Sequence, residues 1–110
     1  MVIDVDSGRP VLGNGVGGVS GRLIRPIATR CVYSIAKNVK IPIIGVGGVY
    51  SGDDAAQHII AGASAVGIGT AVKDHYLDVF GKVCEELEEI LERKKLKSIK
   101  ELVGLLEENK

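Results

Sequence analysis

The sequence has no excess of charge of either sign, few cysteines and no long apolar run. Its 110 residues carry 14 Lys and Arg against 14 Asp and Glu, which excludes the strongly basic surface of a nucleic-acid or anionic-membrane binder. No stretch of about 18 apolar residues could span a bilayer, and no segment has the pattern of a signal peptide. Two cysteines, Cys31 and Cys84, are too few for a disulfide framework and lack the spacing of metal ligands. We therefore expect a cytoplasmic protein with reduced thiols and no metal, nucleic acid or membrane.

Glycine is the one residue in clear excess. The chain has 15 glycines, against a usual share of about 7%, and 13 of them lie at or before Gly69. Charged residues are concentrated from Lys73 onward. Because no Pro-, Gly- or Ser-rich linker separates the two regions, we predict one domain, with glycine turns in residues 1–72 and helices in residues 73–110.

The first third of the sequence predicts a hairpin, a loop and a helix. Short apolar runs at residues 2–5 and 11–12 flank turn-forming residues, which is typical of a β-hairpin. Residues 13–21 include five glycines, so this stretch must be a loop whose backbone bends sharply or closely approaches another group. A helix is predicted over residues 23–38, with Pro26 in its first turn. Its apolar face is predicted to comprise Leu23, Ile27, Cys31 and Ile35, with Ala28, Val32 and Ala36 beside them.

Two short apolar runs predict neighbouring strands of a parallel sheet. Residues 41–46 and 64–68 are uncharged and bounded by Pro or Gly, which indicates strands buried on both faces. Between them, Ser51 is a good N-cap for a helix ending at Ala61, and Gly62 can close that helix in the left-handed conformation. The alternation of helices and strands predicts βαβ units in which each strand ends at a glycine turn.

The charged C-terminal third predicts helices. One long helix is expected after Thr70, and a last helix is expected to begin at Ser98, which forms a capping-box pattern with Glu101. The last helix should continue through Leu102, Leu105 and Leu106. The apolar face of the long helix is predicted to comprise Leu77, Phe80, Cys84, Leu87 and Leu91, widened by Val83 and Ile90. Cys31 and Cys84 are thus both expected to be small buried apolar residues rather than catalytic groups.

The turns after the two strands suit a phosphate group. Gly47 and Gly48 follow the first strand, and Gly69 and Thr70 follow the second, 22 positions later. A phosphate needs converging N–H donors, and glycine both permits unusual φ angles and leaves the approach free of Cβ atoms. Thr70 adds a hydroxyl where the next helix begins, so the helix dipole is expected to favour an anion as well. Two such turns in succession favour a phosphate site over simple tight turns.

Two parallel architectures could carry these turns. A doubly wound sheet would place a GxGxxG sequence after its first strand, and residues 45–52 match that pattern poorly. A (β/α)8 barrel often binds phosphate in the loops after its last two strands. We therefore predict an α/β fold that is the C-terminal part of a (β/α)8 TIM barrel, comprising its last two βα units with a hairpin and C-terminal helices.

A family resemblance agrees with this prediction. Four segments, residues 17–21, 41–49, 61–66 and 68–71, resemble the C-terminal part of dihydroorotate dehydrogenase, most closely the class 1 catalytic subunit that works with an iron–sulfur flavoprotein. The resemblance covers roughly residues 1–80, and the glycine pairs recur in many FMN-binding barrels whereas the whole string does not. It implies an FMN-binding segment of an enzyme that oxidises dihydroorotate to orotate in pyrimidine biosynthesis.

The resemblance also implies roles for particular residues. Gly47, Gly48, Gly69 and Thr70 match positions that bind the FMN phosphate, and Gly21 matches a glycine that contacts the flavin. The family's catalytic base, flavin-side lysine and pyrimidine-binding asparagines lie on earlier segments and have no counterpart in this sequence. We therefore expect no catalytic residue in this chain, and no turnover by the chain alone.

Three further expectations follow. The chain should be a partial domain that pairs with another copy, docks onto the rest of a barrel or folds poorly, because two strands and a hairpin leave unpaired edges. The resemblance adds an iron–sulfur flavoprotein subunit as a further partner. His58 and His75 are expected to be surface or structural residues. Two alternatives stay open, another phosphate-binding barrel of the inosine monophosphate dehydrogenase type and a non-catalytic, oligomerising half-barrel that binds a phosphorylated ligand.

Overall fold

The computed structural model describes residues 1–107, and its first element is a short hairpin. Strand β1 (Ile3–Asp4) pairs antiparallel with β2 (Arg9–Pro10), with Ile3 opposite Pro10. Residues 13–21 contain no helix or strand. The predicted hairpin and glycine-rich loop are thus confirmed, although the second strand begins two residues earlier than predicted.

Helix α1 (Arg25–Ala36) follows a single 3-10 turn at Arg22–Ile24. Pro26 lies in its first turn, where the missing N–H costs no hydrogen bond, as predicted. The predicted apolar face is confirmed in part. Leu23, Ile27, Cys31 and Ile35 are exposed. Val32 is buried against Ala61 and Ala63, and a Cβ added at Gly62 would lie 2.4 Å from the Cβ of Ala36. Close approach of α1 to glycine backbone turns its large apolar side chains outward.

The central sheet has two parallel strands, β3 (Ile44–Val46) and β4 (Ala65–Gly67), joined by α2 (Gly52–Ile60). The predicted parallel pairing is confirmed, and so are the Ser51 N-cap, whose Oγ accepts from the Asp54 N–H, and the positive φ of Gly62. The prediction that both faces of the strands are buried is wrong. Ile44 and Val46 are 67% and 60% exposed, because nothing in residues 1–107 covers their side of β3.

Between Thr70 and residue 107 the chain forms three helices rather than the predicted two. Helix α3 (Ala71–His75) ends where Tyr76 takes a φ of 51°, and α4 begins only at Asp78 and runs to Lys94. The predicted long helix is therefore interrupted. Its predicted apolar face is confirmed in part: Val83 and Ile90 are buried and Leu87 and Leu91 pack against the core, whereas Leu77, Phe80 and Cys84 are exposed. Val79, which the pattern did not include, is also buried.

Helix α5 (Ile99–Leu102) is one turn long and shorter than predicted. Ser98 occupies its N-cap position but makes no capping hydrogen bond with its side chain inside the described range. Leu105 and Leu106 lie beyond the helix and are exposed. The capping-box prediction places the helix start correctly and is wrong about its hydrogen bond and its length.

The core lies between α2 and α4, with α5 closing one end. One cluster of buried residues joins α2 to the residues after β3 and to α3 and α4, and a second joins α2, α4 and α5. No helix within residues 1–107 is long and apolar enough to cross a membrane. The residues that follow β3, together with α3, pack against α2 and α4. This packing holds the turns at the ends of β3 and β4 in place. The two clusters contain Val49, Tyr50, Ala55, Ala71, Val79 and Val83, and Ala56, Ile59, Ile90 and Leu102.

Candidate functional site

The predicted phosphate turns and the glycine-rich loop meet at one cavity. It has a volume of about 230 Å³ and lies beyond the C-terminal ends of β3 and β4, where ligands bind in parallel α/β sheets. All five residues singled out from the sequence line it: Gly21, Gly47, Gly48, Gly69 and Thr70. The other lining residues are Ser20, Ile24, Val46, Val49, Tyr50 and Ala71.

Gly47 and Gly48 are required by backbone conformation and by the approach of α1. Their φ angles are +134° and +70°, a region that side chains rarely allow. A Cβ added at Gly47 would lie 2.7 Å from the Cβ of Ala28, and one at Gly48 would lie 2.6 Å from the Cβ of Arg25. The Cα–Cβ directions at both glycines thus point at α1. The expectation that the missing side chains of Gly47 and Gly48 leave space for a ligand is therefore wrong.

Gly69 differs from the first pair. A Cβ built there meets no protein atom within 4 Å, and its φ is not positive. A side chain at Gly69 would therefore fit the fold without strain and extend into open space beside the cavity. Of the glycines in the two turns, only Gly69 fits the argument that a missing Cβ leaves room for a ligand.

Gly21 brings the glycine-rich loop to the same place. It is buried, has a φ of +92°, and a Cβ added to it would lie 3.4 Å from the Tyr50 hydroxyl and 3.7 Å from the Thr70 Cγ2. Its carbonyl oxygen would lie 3.0 Å from a Cβ at Gly48. The loop therefore closes over both turns, which are separated from it by more than 20 residues in the sequence.

Three residues that line the cavity have backbone amides without a backbone acceptor in the described chain. Within residues 1–107, the amides of Gly48, Gly69 and Thr70 donate to no backbone carbonyl. The Thr70 side chain makes no capping hydrogen bond to α3 in the same range, so its hydroxyl is not committed there. Helix α3 is only five residues long, so the amides and hydroxyl, rather than a long helix dipole, are the groups offered to an anion.

The electrostatics of the surroundings also suit an anion. No Asp or Glu is among the residues that line the cavity in the described chain. The nearest buried carboxylate, Asp54, forms an ion pair with Arg25 and accepts a hydrogen bond from the Tyr50 amide at 3.0 Å. The Arg22 guanidinium stacks 4.1 Å from the centre of the Tyr50 ring. The cavity is thus lined by neutral groups, with two arginines on the elements that flank it.

His58 is a residue of this site that the sequence did not identify. It is fully buried in α2, and its Nε2 donates a hydrogen bond of 2.9 Å to the carbonyl oxygen of Gly47. Its expected structural role is confirmed and surface exposure is excluded. The signal that could have found it is Gly45, because a glycine inside a strand often marks close approach of another group. A Cβ at Gly45 would lie 2.9 Å from the Cβ of His58.

The remaining titratable candidates lie outside the cavity lining. Cys31 and Cys84 are exposed, which corrects their predicted burial, and neither lines the cavity. His75 is exposed, with its ring centre 6.3 Å from that of Tyr50. No group of three or more His, Cys, Asp or Glu side chains within the described chain could hold a metal ion. The cavity thus offers binding groups and, among its described lining residues, no histidine, cysteine or carboxylate that could accept a proton.

Comparisons with known proteins agree with the geometry. The profile of the family described as Dihydroorotate dehydrogenase matches residues 1–91. The chain is 46% identical over 108 residues to the catalytic subunit of dihydroorotate dehydrogenase B (NAD(+)) of Methanosarcina acetivorans, covering 98% of this chain and 34% of that protein. The corresponding subunit of Geobacter sulfurreducens is 44% identical over 109 residues, covering 97% and 35%.

Solved structures give the same result. The chain matches the ligand-free DHODH of Eimeria tenella with a TM-score of 0.79 and 34% identity, covering 91% of this chain and 28% of that one. The complex of the Eimeria tenella enzyme with ferulenol matches with a TM-score of 0.78 and 36% identity, covering 82% and 24%. The chain spans about a third of the length of the curated relatives that it matches.

Proposed function

Because the chain belongs to the dihydroorotate dehydrogenase family, we propose that it supplies the FMN phosphate-binding portion of an enzyme that oxidises dihydroorotate to orotate in pyrimidine biosynthesis. Its two βα units are then the C-terminal part of a (β/α)8 barrel. The observation that carries the proposal is that Gly21, Gly47, Gly48, Gly69 and Thr70, which lie in three separate segments of the sequence, line one cavity.

The donor set fits the phosphate end of FMN. Three backbone amides without backbone partners and the Thr70 hydroxyl can share the oxygens of one phosphate, and no carboxylate among the described lining residues opposes it. The cavity of about 230 Å³ is smaller than the roughly 300–1,000 Å³ typical of whole ligand pockets. Residues 1–107 thus surround the phosphate and its neighbouring atoms, and complete enclosure of the flavin ring requires further protein.

The chemistry divides between the cofactor and the chain. FMN, when bound, accepts the hydride removed from dihydroorotate. This chain anchors and orients the cofactor: the amides of Gly48, Gly69 and Thr70 hold the phosphate, and Gly21 lies against Tyr50 and Thr70 at the cavity wall. Proton removal from the substrate is not assigned to any residue here, because the described lining includes no histidine, cysteine or carboxylate.

Exposed apolar side chains on the surface of the molecule indicate that further protein packs against it. Ile44 and Val46 on β3, Leu23 in the 3-10 turn before α1 and Ile27 on α1 are exposed apolar side chains. In a complete barrel, neighbouring strands and helices would cover them. We include in the proposal that the rest of a barrel or another copy of this chain packs here in the cytoplasm, and that an iron–sulfur flavoprotein subunit receives the electrons.

The first test uses the purified chain, its visible spectrum and its mass by size-exclusion chromatography. Bound flavin absorption, together with tighter binding of FMN than of riboflavin, is expected because only FMN carries the phosphate. Equal affinities for the two flavins would contradict the phosphate assignment.

The same measurement separates the remaining alternative. A colourless, stable oligomer that Ile44→Lys with Val46→Lys reduces to a monomer would favour a non-catalytic half-barrel, whose assembly needs the apolar face of β3. The match to the dihydroorotate dehydrogenase family favours the flavin reading over a barrel of the inosine monophosphate dehydrogenase type.

A further inference from the structure

His58 reaches the phosphate turn from behind through an opening made by Gly45. The imidazole is fully buried, and a Cβ added at Gly45 would lie 2.9–3.0 Å from the Cβ, Cγ and Nδ1 of His58. Any larger residue at Gly45 would therefore displace the ring. The missing side chain allows His58 on α2 to cross beneath β3 and donate from Nε2 to the Gly47 carbonyl oxygen at 2.9 Å.

This hydrogen bond determines the direction of a neighbouring amide. The Gly47 carbonyl and the Gly48 N–H belong to one peptide group, which is trans, so the two bonds point in opposite directions. Holding the carbonyl oxygen toward His58 turns the Gly48 N–H away from α2. That amide has no backbone acceptor in the described chain, and Gly48 lines the cavity. A hydrogen bond to a carbonyl also polarises its peptide group and strengthens the N–H as a donor.

We propose that His58 is a positioning residue that aims the Gly48 amide at the bound phosphate by holding the Gly47 carbonyl. The proposal deepens the proposed function, because it assigns the orientation of one phosphate donor to a residue that does not line the cavity. It also explains the pair Gly45 and His58 together, since each is needed for the other.

Packing alone does not account for the geometry. An apolar side chain of similar size would fill the space beneath β3, but it would leave the Gly47 carbonyl without its side-chain donor. The ring's other nitrogen, Nδ1, is buried and has no partner in the described chain. The hydrogen bond to the Gly47 carbonyl oxygen requires a proton on Nε2, because a carbonyl oxygen can only accept.

The test compares the intact chain with two variants by nuclear magnetic resonance. His58→Gln keeps an amide donor near the position of Nε2, whereas His58→Phe keeps only the ring volume. Without ligand, we expect Nε2 of His58 to carry a proton, and the Gly48 amide resonance to move in H58F and return toward its original position in H58Q. An Nε2 without a proton, or a Gly48 resonance unmoved in H58F, would overturn the proposal.

Flavin binding supplies the second readout. H58F should weaken FMN binding by about tenfold, the value of one lost hydrogen bond of ordinary strength, and leave riboflavin binding unchanged. H58Q should recover most of the difference. Equal losses for both flavins would show a merely structural role and overturn the proposal, as would an unchanged FMN affinity.

A control variant separates loosening of α2 from loss of the hydrogen bond. Ile59→Val removes a buried methyl group from the next position of α2, in a cluster away from the turn, and should not change the ratio of FMN to riboflavin affinity. Failure of the unmodified chain to prefer FMN over riboflavin would contradict the proposed function itself, whereas the ligand-free amide shift would still decide whether His58 orients Gly48.

Discussion

Arg25 at the start of α1 forms an ion pair with Asp54 in the first turn of α2, and the second carboxylate oxygen of Asp54 accepts the Tyr50 amide at 3.0 Å. The Asp54 side chain is only 6% exposed, whereas that of Arg25 is 27% exposed. One carboxylate thus joins α1, α2 and the segment that follows the turn at Gly47 and Gly48. Since α1 contacts the turn at Gly47 and Gly48, the ion pair fixes the distance between α1 and the site.

Asp54→Asn should destabilise the fold, because it removes the charge that pairs with Arg25 and weakens the bond to the Tyr50 amide. We expect the free energy of unfolding to fall by about 1–3 kcal/mol, as for a buried hydrogen bond to a charged group. Chemical denaturation measures the change. Asp53→Asn is the matched control. Asp53 is exposed and its carboxylate lies 3.9 Å from the Arg93 guanidinium, so the loss of unfolding free energy should be below about 0.5 kcal/mol. Equal losses in the two variants would contradict the role of Asp54.

Gly48→Ala should destabilise the chain even without a ligand. A Cβ at Gly48 meets the Cβ of Arg25 at 2.6 Å and requires a φ of +70°. Because an alanine at positive φ is strained, we expect a loss of about 1–3 kcal/mol in thermal or chemical unfolding.

Gly81→Ala provides the opposite control. Gly81 lies within α4, and a Cβ there meets no atom within 4 Å, so alanine should stabilise the chain by about 0.4–1 kcal/mol. A stabilising effect at Gly48 would show that the turn is not held as described. Because a substitution at Gly48 disturbs the fold itself, a loss of flavin binding in a Gly48 variant would not show that Gly48 contacts the ligand.

The sequence predicted the elements of this fold more reliably than their buried faces. Turn-forming residues and capping residues act locally, so the hairpin, the Ser51 cap and the Gly62 turn were all predicted correctly. The face of α1 could be predicted from hydrophobicity only in part, because Ala28 and Ala36 contact glycine backbone and the larger Ile27 and Ile35 face outward. Close packing against glycine favours small residues, and this depends on a tertiary contact rather than on periodicity.

The site shows the same division. Its glycines were identified from local turn chemistry and the family resemblance, and the structure brings them to one cavity. The site role of His58 was missed because a single histidine on a helix does not indicate which group its side chain will contact in the folded protein. Its partner is the Gly47 carbonyl, which appears only once α2 is packed beneath β3. Backbone partners of a side chain have no sequence signature of their own.

Ser7→Ala should raise the pKa of Asp4 toward its ordinary value. The Ser7 hydroxyl and amide both donate to the Asp4 carboxylate, at 2.6 and 2.7 Å, and these bonds lower its pKa. A carboxyl whose pKa is lowered by folding contributes stability above its unfolded pKa and loses it as the pH falls through the folded pKa. The hairpin turn should therefore loosen at acid pH. Carboxyl resonances followed through a pH titration measure the shift, and an Asp4 pKa unchanged in S7A would contradict the assignment.

Gly69→Val should block the proposed phosphate site while leaving the fold intact. A side chain at Gly69 meets no protein atom within 4 Å at its Cβ and needs no positive φ, so the melting temperature should change little. It would nevertheless extend beside the amides of Gly69 and Thr70 and exclude a phosphate from them. We expect FMN affinity to fall by at least about tenfold, equivalent to roughly 1.4 kcal/mol.

Thr70→Val separates donor chemistry from steric exclusion at the same turn. Valine has nearly the shape of threonine but lacks the hydroxyl, and Thr70 makes no capping hydrogen bond to α3 in the described chain, so the helix should be retained. Loss of one donor to a charged group should weaken FMN binding by about tenfold or more, with riboflavin unaffected. Fluorescence quenching of the two flavins gives both affinities. Gly69→Val acts by steric exclusion and Thr70→Val by loss of a hydrogen-bond donor. If the phosphate binds at this turn, both substitutions should weaken FMN binding and leave riboflavin binding unchanged. Full FMN affinity in either variant would place the phosphate elsewhere.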